Sequence, residues 1–317
     1  MAASNSYLRP GIVERFGTAR DIVDKTIDLI IERANRVPLE GAKFFRSVDA
    51  SKIRSDEYKE STTSNVLDLP PENNDSEDIP YDSPAPGFPQ TFSILNYRLG
   101  TRVERQTQED QIRPGELNSA LGGLINAAQR RVEYALASIF NNGFTGTAGA
   151  DSLSLFNDSH PQENNEGGTW DNLETAAALS ASAFETARIN MMNQTNERGD
   201  PMPITGNQLI VSPSDMHEAR RILRSDQQPG NALNDANVHR NDFTLTVYNW
   251  TTSTTAWFLR GDLPQDQWGI VFVNKVPMNV APSNDPSNPD ILMAERVRMR
   301  FAVGFTTERN MNGNAGV

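Results

Sequence analysis

Residues 61–90 limit this chain's folding choices more than any other stretch. They contain no Lys or Arg, six acidic side chains (Asp68, Glu72, Asp75, Glu77, Asp78 and Asp82) and six prolines (Pro70, Pro71, Pro80, Pro84, Pro86 and Pro89). That proline density excludes a helix and a central strand, because each proline removes a backbone donor and fixes φ. Alternating segments flank the stretch, Ser47–Tyr58 before it and Thr91–Glu104 after it, the latter through Phe92, Ile94, Tyr97, Leu99 and Val103. Two extended arms joined by an irregular acidic tip describe a long hairpin-like excursion. A loop this long inside a compact domain is uncommon and is either functional or disordered; the stretch reads as a disordered acidic linker or, in preference, as a protruding loop that contacts a partner.

Before it, residues 1–60 mix 11 basic with 10 acidic side chains. Ile22, Val23, Ile27, Ile30 and Ile31 recur at helical spacing and predict a short amphipathic helix over 21–34. The strongest helical pattern follows the loop. Leu117, Leu121, Leu124, Ala128, Val132, Ala135 and Ile139 form one stripe over 115–140, between Pro114 and the stop signal Asn141-Asn142-Gly143. A rod of that length spans roughly 39 Å. Gln129, Arg130 and Glu133 are expected on its polar face, and Gly122-Gly123 would let another element approach closely.

A second helix is expected from Ser182, capped with Glu185, through Phe184, Ala187 and Met191 to Thr195, with a separate helical turn over Thr175–Leu179. Gln208–Val211 reads as a buried strand, and a third helix starts at Ser212-Pro213 and ends near Arg224. Strand patterns return at Phe243–Tyr248, Ala256–Leu259, Gly269–Val273, Met278–Val280 and Ile291–Val303. In the last, Val297, Met299 and Phe301 alternate with Arg296, Arg298 and Arg300, giving one buried and one basic face. Asn310–Gly316 reads as a flexible tail. The order of elements is α+β, without the regular alternation of a doubly wound sheet.

Little here suggests catalysis. The chain has no cysteine, which excludes disulfides and thiolate chemistry, and only three histidines, His160, His217 and His239. Asp158 and His160 could share an acid–base or metal site, but no third ligand is evident, and a turn ending in His160-Pro161 is the plainer reading. His217 reads as a surface residue and His239 as part of a polar loop. No phosphate-binding glycine loop, serine-hydrolase elbow or zinc-binding helix motif occurs. The expectation is a protein that is not an enzyme and takes no cofactor or metal. The formal net charge of −12 lacks the basic footprint of a nucleic-acid clamp and disfavours anionic membranes. No apolar run approaches the roughly 20 residues of a membrane span.

Several runs resemble the major capsid proteins of tailed phages with the HK97-type fold, Mu-like members among them. They are Leu155-Phe-Asn-Asp-Ser-His160; Phe184–Ala219 with its Gly199-Asp-Pro-Met-Pro-Ile204 turn and Leu209-Ile-Val-Ser-Pro213 junction; Trp257-Phe-Leu259 before Gly261-Asp262; and Val297-Arg-Met-Arg-Phe301-Ala-Val-Gly304. The resemblance covers roughly 90–305. It implies an N-terminal arm over 1–50, an extended loop over 51–105, a peripheral domain over 106–224 with its spine helix at 115–140, an axial domain over 225–269, and return strands with a tail over 270–317. It implies a structural subunit that self-assembles as pentamers and hexamers into an icosahedral virion shell around double-stranded DNA, built in the host cytoplasm. Separate scaffold, portal and decoration proteins would be its further partners, and packaged DNA would meet it only weakly and non-specifically. Acidic Asp68, Glu72, Asp75, Glu77, Asp78 and Asp82, and basic Arg296, Arg298 and Arg300, are the expected inter-subunit contacts. The alternatives are an encapsulin-like compartment shell, a surface or tail-sheath protein, or a hydrolase around Asp158 and His160.

Overall fold

The computed structural model describes residues 39–49, 55–64, 81–83, 85–104, 114–146, 149–162, 168–196, 200–202, 204–228, 235–262, 269–282 and 291–317, with Ile53, Leu67, Pro70, Glu72 and Ile79 besides. The helix expected over 21–34 lies outside them. A 3₁₀ turn at Glu40–Lys43 precedes β1 (Arg46–Val48), β2 (Glu57–Ser64), β3 (Ala85–Ser93) and β4 (Leu95–Glu104). Helix α1 (Pro114–Asn141) is followed by the short strands β5 (His160–Pro161), β6 (Thr169–Trp170) and β7 (Leu173–Glu174). Next come α2 (Ala181–Met192), β8 (Gly206–Val211), α3 (Met216–Arg224), β9 (Thr244–Val247) and β10 (Trp257–Gly261). The chain closes with β11 (Ile270–Pro282), β12 (Ile291–Phe305) and β13 (Met311–Asn314).

By its internal contacts the chain divides into two units, one of residues 1–39, 96–132 and 276–300, the other of 40–95, 133–275 and 301–317. In the first, α1 buries Leu121, Leu124, Ile125 and Ala128. Val297 and Met299 are buried on β12 while Arg296 and Arg298 are exposed, as the alternation requires. The Arg131 guanidinium lies 4.6 Å over the Tyr97 ring. Among the described residues, nothing outside α1 itself comes within 4 Å of where a Cβ at Gly122 or Gly123 would stand.

In the second unit a mixed five-stranded sheet runs β7-β13-β10-β8-β9. The two-residue period of its strands divides the core. Leu209, Val211, Trp257 and Leu259 pack with Phe184, Ala187 and Met191 of α2 and Ala219, Ile222 and Leu223 of α3. Phe258 turns to the other side, where it stacks on Phe156 at 5.2 Å and meets Phe140 at 5.1 Å. Each large apolar side chain fully buried here stabilises the fold by roughly 1.5–3 kcal/mol. A smaller cluster joins Val48, Phe92, Ile94, Val271, Val273 and Ala302, with β1 parallel to β11.

Several local expectations are corrected. Ser180 rather than Ser182 caps α2, accepting from the Ala183 N–H at 3.2 Å. Residues 175–179 are not helical. The two strands expected over 269–280 are one, β11. Glu133 is not on the polar face of α1; it is 5% exposed. Its carboxylate accepts from the Glu40 and Gly41 N–H groups, leading into the 3₁₀ turn, and from the Tyr248 hydroxyl. The tail read as flexible contains β13, all four residues of which are buried between β10 and β7.

Candidate functional site

The two-armed excursion exists as a hairpin of β2 on β3, antiparallel from Glu57↔Ser93 to Ser64↔Ala85 with an irregularity between Ser61 and Thr63. Pairing therefore lies nearer the tip than the alternation alone suggested. Pro86 and Pro89 are tolerated because, among the described residues, β3 pairs in a ladder with β2 alone and is not a central strand. At the base, Tyr58 stacks on Phe92 at 6.0 Å, Arg46 pairs with Glu60, and Lys275 reaches Asp56 at 2.8 Å. Burial, and then the neighbouring Glu60 carboxylate, push the Tyr58 phenol up from its ordinary range.

At the tip, Leu67, Ile79 and Tyr81 are 49%, 72% and 93% exposed. The charge-based reading overlooked these apolar groups, although their neighbours in a proline-rich acidic stretch offered them no local core. Of the acidic residues singled out, Glu72 and Asp82 are exposed, and Asp82 accepts from the Ser83 N–H at 2.8 Å. Asp68, Asp75, Glu77 and Asp78 lie outside the described residues. Arg296 and Arg298 are exposed on β12 and Arg300 is half-buried. The acidic residues and the arginines belong to different units of the chain.

The acid–base pair considered from sequence does not form. Asp158 is exposed and accepts from the Ser159 hydroxyl at 3.0 Å. His160 instead meets Asp151, with Nδ1 2.6 Å from Oδ2, and stacks on Trp170 at 4.8 Å. His217 is exposed, whereas His239 is buried edge-on against Phe184 rather than sitting in open loop. A hollow of about 60 Å³ lined by Phe140, Phe144, Ala256 and Phe258 is far below the roughly 300 Å³ where small-molecule sites begin. No helix among the described residues is long and apolar enough to cross a membrane.

Comparisons with known proteins agree with this architecture. The family model described as phage capsid protein matches residues 89–311, more than two thirds of the chain. No curated protein matches the sequence. Among solved structures, that of Mycobacterium phage Patience is similar with a TM-score of 0.58 at 8% identity, over 94% of this chain and 88% of that one. The mature capsid of bacteriophage PhiM1 gives 0.55 at 11% identity, over 87% and 86%. The capsid of the cyanophage P-SCSP1u gives 0.56 at 7% identity, over 86% of each. Identities this low speak for the fold, and the family match covers the segment from β3 into β13. The chain belongs to the phage capsid protein family, has the HK97-type capsid fold, and is a major shell protein.

Proposed function

We propose that copies of this chain assemble as pentamers and hexamers into an icosahedral virion shell around double-stranded DNA, in the host cytoplasm and without catalysis. The observation that carries this is the β2–β3 hairpin beside the family-matched segment, with Ile79 and Tyr81 left in water at its tip. Large apolar side chains held out by an ordered hairpin are anchors for another surface, here a second copy of the chain. In this reading 1–50 is an arm and 51–105 a loop laid on a neighbour. Residues 106–224 and 270–317 form the peripheral part, with α1 as its spine, and 225–269 supplies axial loops at ring centres. Scaffold, portal and decoration proteins would be separate partners. The charge of −12 suits a wall that holds packed DNA without adhering to it.

Negative-stain microscopy of the purified chain tests the proposal. Closed shells, or free rings of five and six, are the expected result; a stable monomer that never forms rings would sink it.

The acidic loop (Asp68, Glu72, Asp75, Glu77, Asp78, Asp82) would then face arginines of a neighbour, with Arg296, Arg298 and Arg300 as the candidates. Exposed pairs contribute only about 0–1 kcal/mol each, so their role is register and encounter. Reversing Asp75, Glu77 and Asp78 to lysine is expected to slow shell formation several-fold at low salt and much less at high salt, where charges are screened. Equal assembly rates, followed by light scattering at both salt levels, would refute that pairing.

A further inference from the structure

Strand β4 leaves chemistry on both of its faces in water. It lies beside β12 at the end of its sheet, so among the described residues its other edge carries no strand. A Cβ at Gly100 would stand 4.0 Å from the Arg296 Cβ, which puts the even-numbered positions of β4 on the arginine face of β12. Arg98 and Arg102 flank Gly100 two residues away and are exposed, as Arg296 and Arg298 are. The basic face read from one strand is therefore built from two. Glu295, the carboxylate of β12, does not relieve it: it is 1% exposed and lies with Val297 and Met299 on the other side. Like charges side by side on neighbouring strands repel, so such a face gains from an anionic partner.

Leu99 points away from the arginines and is 51% exposed. An open edge with a large apolar group beside it is a surface that folded proteins ordinarily cover. A nucleic-acid backbone would meet the arginines but has no use for Leu99. The tip of the β2–β3 hairpin supplies both chemistries in one short stretch. Residues 67–82 hold six carboxylates and no Lys or Arg, with Leu67, Ile79 and Tyr81 exposed among them.

We propose that β4 is the receptor for the hairpin tip of a second copy of this chain. The tip straddles the open edge, with its acids on Arg98, Arg102, Arg296 and Arg298 and an apolar anchor on Leu99. This deepens the shell reading and rests on it for the identity of the second copy. Each chain gives a tip and receives one, so the contact is head-to-tail, the kind that closes rings when the rotation allows.

The absence of cysteine makes the contact testable by crosslinking. In the purified full chain, Ser83 at the tip and Asn96 on β4, both exposed, are changed to cysteine, and the assembling protein is treated with a short bismaleimide. Ser83→Cys/Asn96→Cys is expected to give a ladder of covalent oligomers on a denaturing gel, since every chain can join two others. Ser83→Cys/Ile189→Cys, with its second thiol on the exposed side of α2, gives none. Adding Arg98→Glu/Arg102→Glu slows the ladder about tenfold or more at low salt, and Asp75→Lys/Glu77→Lys/Asp78→Lys restores it. A Ser83→Cys/Asn96→Cys protein that stays at single-chain mass, or a control that ladders equally, overturns the proposal. Electron microscopy of the same samples separates it from the shell reading: shells without a ladder sink the docking alone, and a ladder without shells sinks the shell alone. Duplex DNA retarded by wild type and released by Arg98→Glu/Arg102→Glu, with no ladder, would give the face to nucleic acid instead.

Discussion

Gly313→Val is expected to cost about 3 kcal/mol or more and to send most of the expressed chain into the insoluble fraction. Gly313 lies in β13 opposite Phe258 of β10 and beside Leu173 of β7. A Cβ at this position would come 2.5 Å from Phe156 Cγ. The ring has nowhere to retreat. It stacks on Phe258, contacts Phe144 at 5.1 Å, and leaves Gly143 no room for a side chain either, since a Cβ there would meet it at 2.9 Å. Overpacking a filled core typically costs about 1–3 kcal/mol, and a branched side chain driven into a fixed ring belongs at the upper end. Urea denaturation of the residual soluble fraction measures the loss. Phe156→Ala removes the obstacle at its own cost of about 3–5 kcal/mol. The double variant should therefore be more stable than the two losses summed, by more than about 1 kcal/mol. Strict additivity, or a Gly313→Val protein with the wild-type midpoint, would show that the ring yields.

What made β13 invisible in the sequence is physical. Met311-Asn-Gly-Asn314 has no alternation, and asparagine and glycine are depleted in strands because they bring little packing surface. The strand forms because its amides are claimed by side chains and backbone far away in the chain. Asn312 donates to Glu174 and accepts from Gln194, and Asn314 donates to the Thr175 carbonyl while accepting from the Ala177 N–H. Such pairing leaves no periodic trace. By contrast, α1 and the alternation of β12 were readable, since one face of each is buried against the protein and the other is not. The hairpin was readable through its prolines, which said where regular structure must stop. At the candidate surface the sequence exposed the charges but not Ile79 and Tyr81, because apolar residues are noticed as core unless burial is known. His160's partner was hidden behind a nearer decoy: Asp158 is two residues away, but the ring meets Asp151 instead.

Glu133 supplies the second large effect and an unusual pH dependence. Its carboxylate is buried on α1, where it takes the N–H groups of Glu40 and Gly41 and the Tyr248 hydroxyl. Burial pushes its pKa above the ordinary carboxylate range; the two backbone donors and Tyr248 pull the other way, and the Glu40 carboxylate adds to the rise. Tyr248 answers in kind, its phenol raised by burial and by the negative Glu133 beside it. An acid whose pKa is higher in the folded than in the unfolded state binds its proton more tightly when folded. Its stabilising contribution is thus complete below the unfolded value and is lost as pH rises through the folded one. Lowering pH from 7 toward 5 should therefore strengthen wild type relative to Glu133→Gln, which has no proton to gain. The amides of Glu40 and Gly41 should exchange more slowly in wild type over the same range. Glu133→Leu, which leaves both N–H groups buried without acceptors, is expected to lose about 2–4 kcal/mol at neutral pH. Parallel denaturation curves of wild type and Glu133→Gln, with the same midpoint difference at pH 5 and pH 7, would exclude Glu133 as the titrating group. A difference that widens as pH falls assigns it, because the ordinary acid loss of other carboxylates is common to both proteins and cancels.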